Sequence, residues 1–204
     1  MNVRNVTRLF VIALAAVSCT GTEPTRPSSE PTLTAVPAAS DSALLFGFTR
    51  SAVGLGRVDL TSANAGLADF SFAVFGRANG TAVGFFHQRR ESGGLVVEFT
   101  GRAICLTTDP AFPGRARIGG IVTENKSTHP SFLTENHAVG AHVWFRITDS
   151  RSNGDPADAS TTYGFKPTLV NTSQEYCALP FTGLPAWNPA SIFPLAQGFI
   201  DVRP

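Results

Sequence analysis

The sequence predicts an all-β fold, an antiparallel β-sandwich or barrel of about eight to ten strands joined by Gly/Pro-rich loops. Three observations predict it. From residue 44 onward apolar residues recur with a period of two rather than that of a helix. Turn-forming pairs such as Asn79-Gly80 punctuate these runs. No segment carries a convincing helical stripe; the nearest, Thr61–Ala68, is short, interrupted by glycine and reads as a loop.

In chain order, the first strands are expected at 44–49 and 53–60. Phe70, Phe72 and Val74 share one face of the next strand. Asn79-Gly80 turns the chain into a strand at 81–88, and Ser92-Gly93-Gly94 turns it again. Leu95, Val97 and Phe99 then share a face, followed by a strand at 102–107. Arg115 and Arg117 alternate with Ala116, Ile118, Gly120 and Val122. The clearest strand is Val139–Thr148. Val139, Ala141, Val143, Phe145 and Ile147 point one way, while Gly140, His142, Trp144, Arg146 and Thr148 point the other. Asn153-Gly154 marks a turn before a strand at 160–166, and Ile200 and Val202 share a face in the last strand. The connections 108–113, 124–138 and 167–196 are rich in Pro, Asn, Ser and Thr. The last is long for a compact domain. Its prolines Pro180, Pro185, Pro189 and Pro194 predict a loop wrapped over the sheet and pinned by Cys177.

Composition bounds the function. The 204 residues carry a formal net charge of +1 and only 15% charged residues. That excludes a long coiled coil and a nucleic-acid binder driven by bulk charge. The 19 glycines follow no three-residue period, which excludes collagen.

The N-terminus has the form of an export signal. Arg4 and Arg8 precede an unbroken apolar run, Leu9 to Val17, and small residues follow. Nine apolar residues are too few for a membrane span, which takes about 20 in a helix. Ala16-Val17-Ser18-Cys19 resembles the lipobox of bacterial lipoproteins, departing from it at Ala16, where Leu is usual. The resemblance implies a signal peptide over 1–18, lipidation of Cys19 and a membrane partner reached through that lipid. An ordinary signal peptide cut nearby is the alternative. Thr20, rather than Asp, after the cysteine implies sorting to an outer membrane. Removing residues 1–18 leaves 14 basic residues against 15 acidic ones, so no charge steers the chain toward DNA.

An odd cysteine count in an exported chain needs an explanation. Lipidation of Cys19 would leave Cys105 and Cys177 as a pair. An oxidising compartment permits their disulfide, and closing a loop of about 73 residues stabilises by roughly 4 kcal/mol in the chain-entropy account. Residues 20–41 follow the anchor, and Pro, Ser and Thr fill 12 of those 22 positions. Such a segment lacks the apolar surface to offset its ordering entropy and is expected to be a disordered stalk. It would reach up to roughly 70 Å in polyproline II geometry. A single β domain is then expected over 42–204.

Residues 68–203 resemble an uncharacterised secreted all-β domain of bacterial surface proteins. The likeness rests on the aromatic strand from Asp69 to Val74, the Gly-rich hairpin and the strand Ala103-Ile104-Cys105-Leu106. It continues through Ala116–Val122, the Asp/Asn/Gly loop from Asp149 to Asp158, and Gly198–Val202. It implies a fold and a compartment, and no activity.

Candidate chemistry is sparse. Asp149, Asn153, Asp155 and Asp158 cluster in one loop and offer the oxygen ligands calcium takes. As an EF-hand the loop fails, with Arg151 at a ligand position and Ser160 in place of the closing Glu; a self-bonded polar loop is the other reading. His87, His129, His137 and His142 are spaced unlike a zinc site, although Glu135 and His137 could share a face. No nucleophile elbow, phosphate-binding loop or dinucleotide fingerprint occurs. His142, Trp144 and Arg146 form an aromatic and cationic row suited to a glycan or protein partner, unless a second sheet or the 167–196 segment covers it. The sequence therefore predicts an extracytoplasmic, non-enzymatic envelope protein with a binding or structural role. Its partner would be a protein, glycan or small molecule, with no cofactor beyond a possible calcium ion. A lipocalin-like barrel holding a small apolar ligand among the 16 phenylalanines is the alternative. An extracytoplasmic hydrolase is a further one.

Overall fold

The computed structural model describes residues 47–63, 65–133, 137–154, 157–161, 170–181 and 192–204. The signal segment 1–18, Cys19 and the linker 20–41 lie outside the described residues, as do Glu135, Asp155 and positions 162–166 of the expected strand 160–166.

The chain is all-β. Eight antiparallel strands follow one another around a single closed sheet: β1 (Phe48–Asp59), β2 (Leu67–Arg77), β3 (Ala82–Ser92), β4 (Leu95–Thr108), β5 (Arg115–Asn125), β6 (His142–Thr148), β7 (Ala159–Ser160) and β8 (Phe193–Arg203). Each pairs with the next, and β8 returns to pair with β1 from Ser51↔Arg203 to Val58↔Leu195. Sandwich versus barrel is thus decided for a closed ring. It is not a regular barrel, because β7 contributes only two residues to the wall. Among the described residues, two short α-helices lie in connections: α1 (Ser150–Asn153) and α2 (Ser173–Ala178).

Several expected elements change in extent. Of the strand expected at 44–49, positions 44–46 lie outside the described residues and 48–49 run on into the strand expected at 53–60 as β1, while the 102–107 strand is continuous with Leu95–Phe99 in β4. The strand expected from Val139 begins only at His142. Gly140 adopts a φ of +92°, which turns the chain out of the sheet and leaves Val139 67% exposed. The 167–196 connection, expected as a loop, contains α2. Asn153-Gly154 ends α1 rather than a strand: Gly154 is its left-handed C-cap, and its N–H donates to Ser150 O at 3.0 Å.

The period-two pattern translates into an inside and an outside. Phe70, Phe72, Val74, Phe86, Val97, Phe99, Ile118, Phe145, Ile147, Ile200 and Val202 all face the interior and join one core. The phenylalanines fit because glycines face them. A Cβ on Gly101 would lie 2.0 Å from the Phe86 ring, and one on Gly120 would lie 2.4 Å from it. A Cβ on Gly54 would lie 2.4 Å from the Phe72 ring. Phe145 packs between these two rings, 5.5 Å from Phe72 and 5.9 Å from Phe86 between centroids. At this level the interior is side chain on backbone, so an apolar ligand of the lipocalin kind would have to displace the rings.

Gly101→Ala is therefore expected to destabilise the domain by about 1–3 kcal/mol through overpacking. Combined with Phe86→Leu, which shortens the ring's reach, it should cost less than the sum of the two single changes. Urea unfolding of the four chains measures both quantities.

Candidate functional site

The register of β5 and β6 builds the candidate site. Ile118 pairs with Phe145 and Ala116 with Ile147, and these four face the core. Their neighbours along each strand must face out. On that outer face His142 lies opposite Ile121, Trp144 opposite Gly119, Arg146 opposite Arg117 and Thr148 opposite Arg115. The binding candidates His142, Trp144 and Arg146 thus share one strand and one face. They do not form a surface row: Trp144 is 1% exposed and Arg146 2%.

Helix α2 covers them, and its sequence explains how it forms and stays. Thr172 caps it, its hydroxyl accepting the Glu175 N–H at 3.2 Å. Cys177 is joined to Cys105 of β4 by a disulfide, with Cα atoms 6.3 Å apart. Buried Ser173 donates its hydroxyl to Gly120 O at 2.8 Å and Val143 O at 3.1 Å. Its N–H donates to His142 Nδ1 at 3.2 Å. Gly119 provides the room, since a Cβ there would lie 2.6 Å from Ser173 Cβ. Tyr176 then stacks on Trp144 with centroids 5.4 Å apart and planes at 17°. Trp144, Val170 and Tyr176 form a second apolar cluster outside the ring, with Leu179 against it.

The residue that gives this compartment its chemistry is Arg117, which sequence reasoning had placed only as an outward strand position. It is 0% exposed. Nη2 donates to the Leu179 carbonyl. The guanidinium carbon sits 4.0 Å from the centroid of the Phe181 ring and 5.6 Å from that of Tyr176. Among the described residues Nε and Nη1 have no acceptor, and neither has Trp144 Nε1. Burial pulls Arg117 below the ordinary arginine value; Tyr176 and Asp109 oppose that pull and Arg146 adds to it. Burial lowers Arg146 in the same way, with Tyr176 opposing. Burial pushes the Tyr176 hydroxyl up to about 12, against the attraction of Arg146 and Arg117, so it is neutral at pH 7. The arrangement offers cationic donors in a dry aromatic setting. The sequence signal for it was two arginine positions, 117 and 146, outward on neighbouring strands, but their pairing required the register.

The Asp/Asn loop does different work. Asp149 Oδ1 accepts the Arg151 N–H at 3.0 Å at the start of α1, and Oδ2 accepts the Ser152 hydroxyl at 3.1 Å and the Val202 N–H at 3.2 Å. Asp158 Oδ1 accepts the Ser150 N–H at 2.9 Å and its hydroxyl at 2.8 Å, while Oδ2 accepts the Ile200 N–H at 2.7 Å. Both carboxylates therefore tie α1 to β8. Asn153 lies in α1, and Asp155 is outside the described residues. Two of the histidines pack on one phenylalanine, and the other two lie elsewhere. His137 packs on Phe99 and Phe132, His129 lies edge-on to Phe132, and His87 is 3.6 Å from Glu98. Among the described residues, no group of three or more His, Cys, Asp or Glu is placed to hold a metal ion.

Comparison of the chain with protein families, with curated proteins and with solved structures finds no match in any of the three.

Two outcomes follow from this geometry. Replacing both Cys105 and Cys177 by Ala should lower stability by about 2–5 kcal/mol, measured by urea unfolding, and increase tryptophan solvent exposure as α2 loosens over Trp144. The second concerns Asp158. Burial raises its carboxyl, but the Ile200 and Ser150 hydrogen bonds and the Arg151 charge outweigh this and hold it below the ordinary value of 3.8. Its contribution is fully present above that value and is lost as pH falls through the depressed one. Asp158→Asn should thus be less stable than the parent at pH 7, with the gap closing below about pH 4 in denaturant titrations.

Proposed function

We propose that the chain is an extracytoplasmic cell-envelope protein, held to a membrane by a lipid on Cys19, whose β ring has a non-enzymatic binding role. The observation that carries this reading is the cysteine pairing. The Cys105–Cys177 disulfide belongs in an oxidising compartment and accounts for two of the three cysteines. It leaves Cys19 as the odd one, directly behind a basic segment and a nine-residue apolar run. The Pro/Ser/Thr-rich stretch 20–41 then serves as the stalk between lipid and ring. The binding role is supported by the covered face of β5 and β6, where donors and aromatic rings converge under a cross-linked helix.

Intact mass spectrometry of the protein extracted from its native membrane tests the anchor. The expected species matches residues 19–204 plus acylated glycerol, and gains about two daltons on reduction as the disulfide opens. An unlipidated species recovered from a soluble fraction would overturn the anchored reading.

A further inference from the structure

The outer face of β1, β2, β3 and β8 carries a band of apolar side chains open to solvent. Register places it. Leu55 lies opposite Phe199, Val53 opposite Ala73, Ala73 opposite Phe85 and Phe75 opposite Val83. Each alternates with core-facing neighbours, so the band is continuous across four strands. Leu55 is 58% exposed, Phe85 48%, Phe199 44%, Val83 41% and Phe75 36%. Together they present roughly 500 Å² of apolar surface to water. Single exposed apolar residues need no explanation, whereas a continuous patch of that size marks a contact surface.

The borders of the band carry charge. Beyond Leu55 the row Arg57, Asp69, Arg89 and Glu98 crosses the strands, with ion pairs at 2.7 Å and 3.4 Å. The band is therefore only a few residues deep along each strand, short of the roughly nine to eleven that cross a bilayer. Its other borders are cationic. Arg102 lies opposite Phe85, Arg203 opposite Ser51, and Arg77 two positions beyond Phe75. Asp201, the acid on this side, is taken by Arg203 at 3.0 Å and Arg151 at 3.5 Å. Arg77 and Arg102 are exposed, and neither forms an ion pair among the described residues. Arg77 lies over the Phe48 ring, where the chain arriving from Cys19 enters β1.

We propose that this band docks on an anionic phospholipid bilayer, its apolar side chains entering the headgroup boundary while Arg77 and Arg102 meet lipid phosphates. Charge selects this partner over a second copy of the chain. A two-fold contact would bring the same cations together, and roughly 500 Å² falls short of the about 800 Å² per partner of a stable dimer. The proposal rests on the anchored reading for the nearness of a bilayer. Residues 20–46 join Cys19 to Gly47, next to the Phe48–Arg77 pair at one end of the band, so a lipid on Cys19 would hold the band within reach of the membrane.

Fluorescence of the full chain carrying Cys19→Ser, which cannot be lipidated, tests the docking apart from the anchor. Val83→Trp puts a reporter in the band, and Leu67→Trp puts one on the same face of β2 beyond the charged row. The difference from the parent isolates each reporter. Vesicles of about 30% phosphatidylglycerol in phosphatidylcholine, with brominated acyl chains, should quench the reporter at 83 and not the one at 67, with half-saturation below about 1 mM lipid. Arg77→Gln combined with Arg102→Gln should weaken this binding about 30-fold. Phe85→Ser should weaken it through lost apolar area. Absence of quenching at 83, equal quenching at 67 and 83, or a dimer in sedimentation whose reporter at 83 stays unquenched would overturn the proposal. The lipid plays no part in this measurement, so its failure is distinct from that of the mass experiment.

Discussion

The Phe86 ring rests on two strands that have no side chain beneath it. Gly101 in β4 and Gly120 in β5 both lie within van der Waals contact of that ring, and Gly54 in β1 does the same for Phe72. Much else depends on this aromatic-on-glycine packing. It lets bulky residues from neighbouring strands converge inside a ring of only eight strands, one of them two residues long. Close-packed interiors tolerate neither an added methyl nor a missing ring without loss, so the wall and its filling constrain each other.

A second buried cluster lies outside the ring. The outer face of β5 and β6 would ordinarily be a wet, half-polar surface. Here a helix of six residues, capped at Thr172 and cross-linked through Cys177, makes it a second dry compartment. The cover is seated by polar bonds from Ser173 to the backbone of both strands rather than by area alone. Enclosing Trp144 this way removes a large apolar surface from water. The loop from Asp149 to Asp158 is mechanical by contrast. Its carboxylates satisfy backbone N–H groups on β8, each such charge-assisted bond contributing about 1.5–3 kcal/mol, and so help to close the ring where β7 is shortest.

The same residues show where reading the chain succeeds and where it stops. Phe145 and Ile147 alternate with Trp144 and Arg146, and that alternation alone assigns which pair enters the core. It cannot say what covers the other side, because that depends on residues 26 to 35 positions downstream of Trp144 folding back, a non-local event with no periodic signature. Asp149 and Asp158 have the composition of a cation loop and the geometry of a brace. Composition counts oxygens, whereas the donors that claim them, Ile200 and Val202 N–H, come from the far end of the chain. Gly140 was legible as a glycine but not as the point where the strand begins.

By itself the sequence determined the all-β class, the side-chain alternation of five of the eight strands, the hairpin at Asn79-Gly80 and the pairing partner available to Cys105. These are local properties: side-chain alternation, turn chemistry and cysteine count. Tertiary structure alone decided that the sheet closes on itself, that α2 lies across β5 and β6, and that Arg117 stands opposite Arg146 on a buried face. Those depend on register and on long-range docking, which bring together residues far apart in the chain and leave no periodic trace in it.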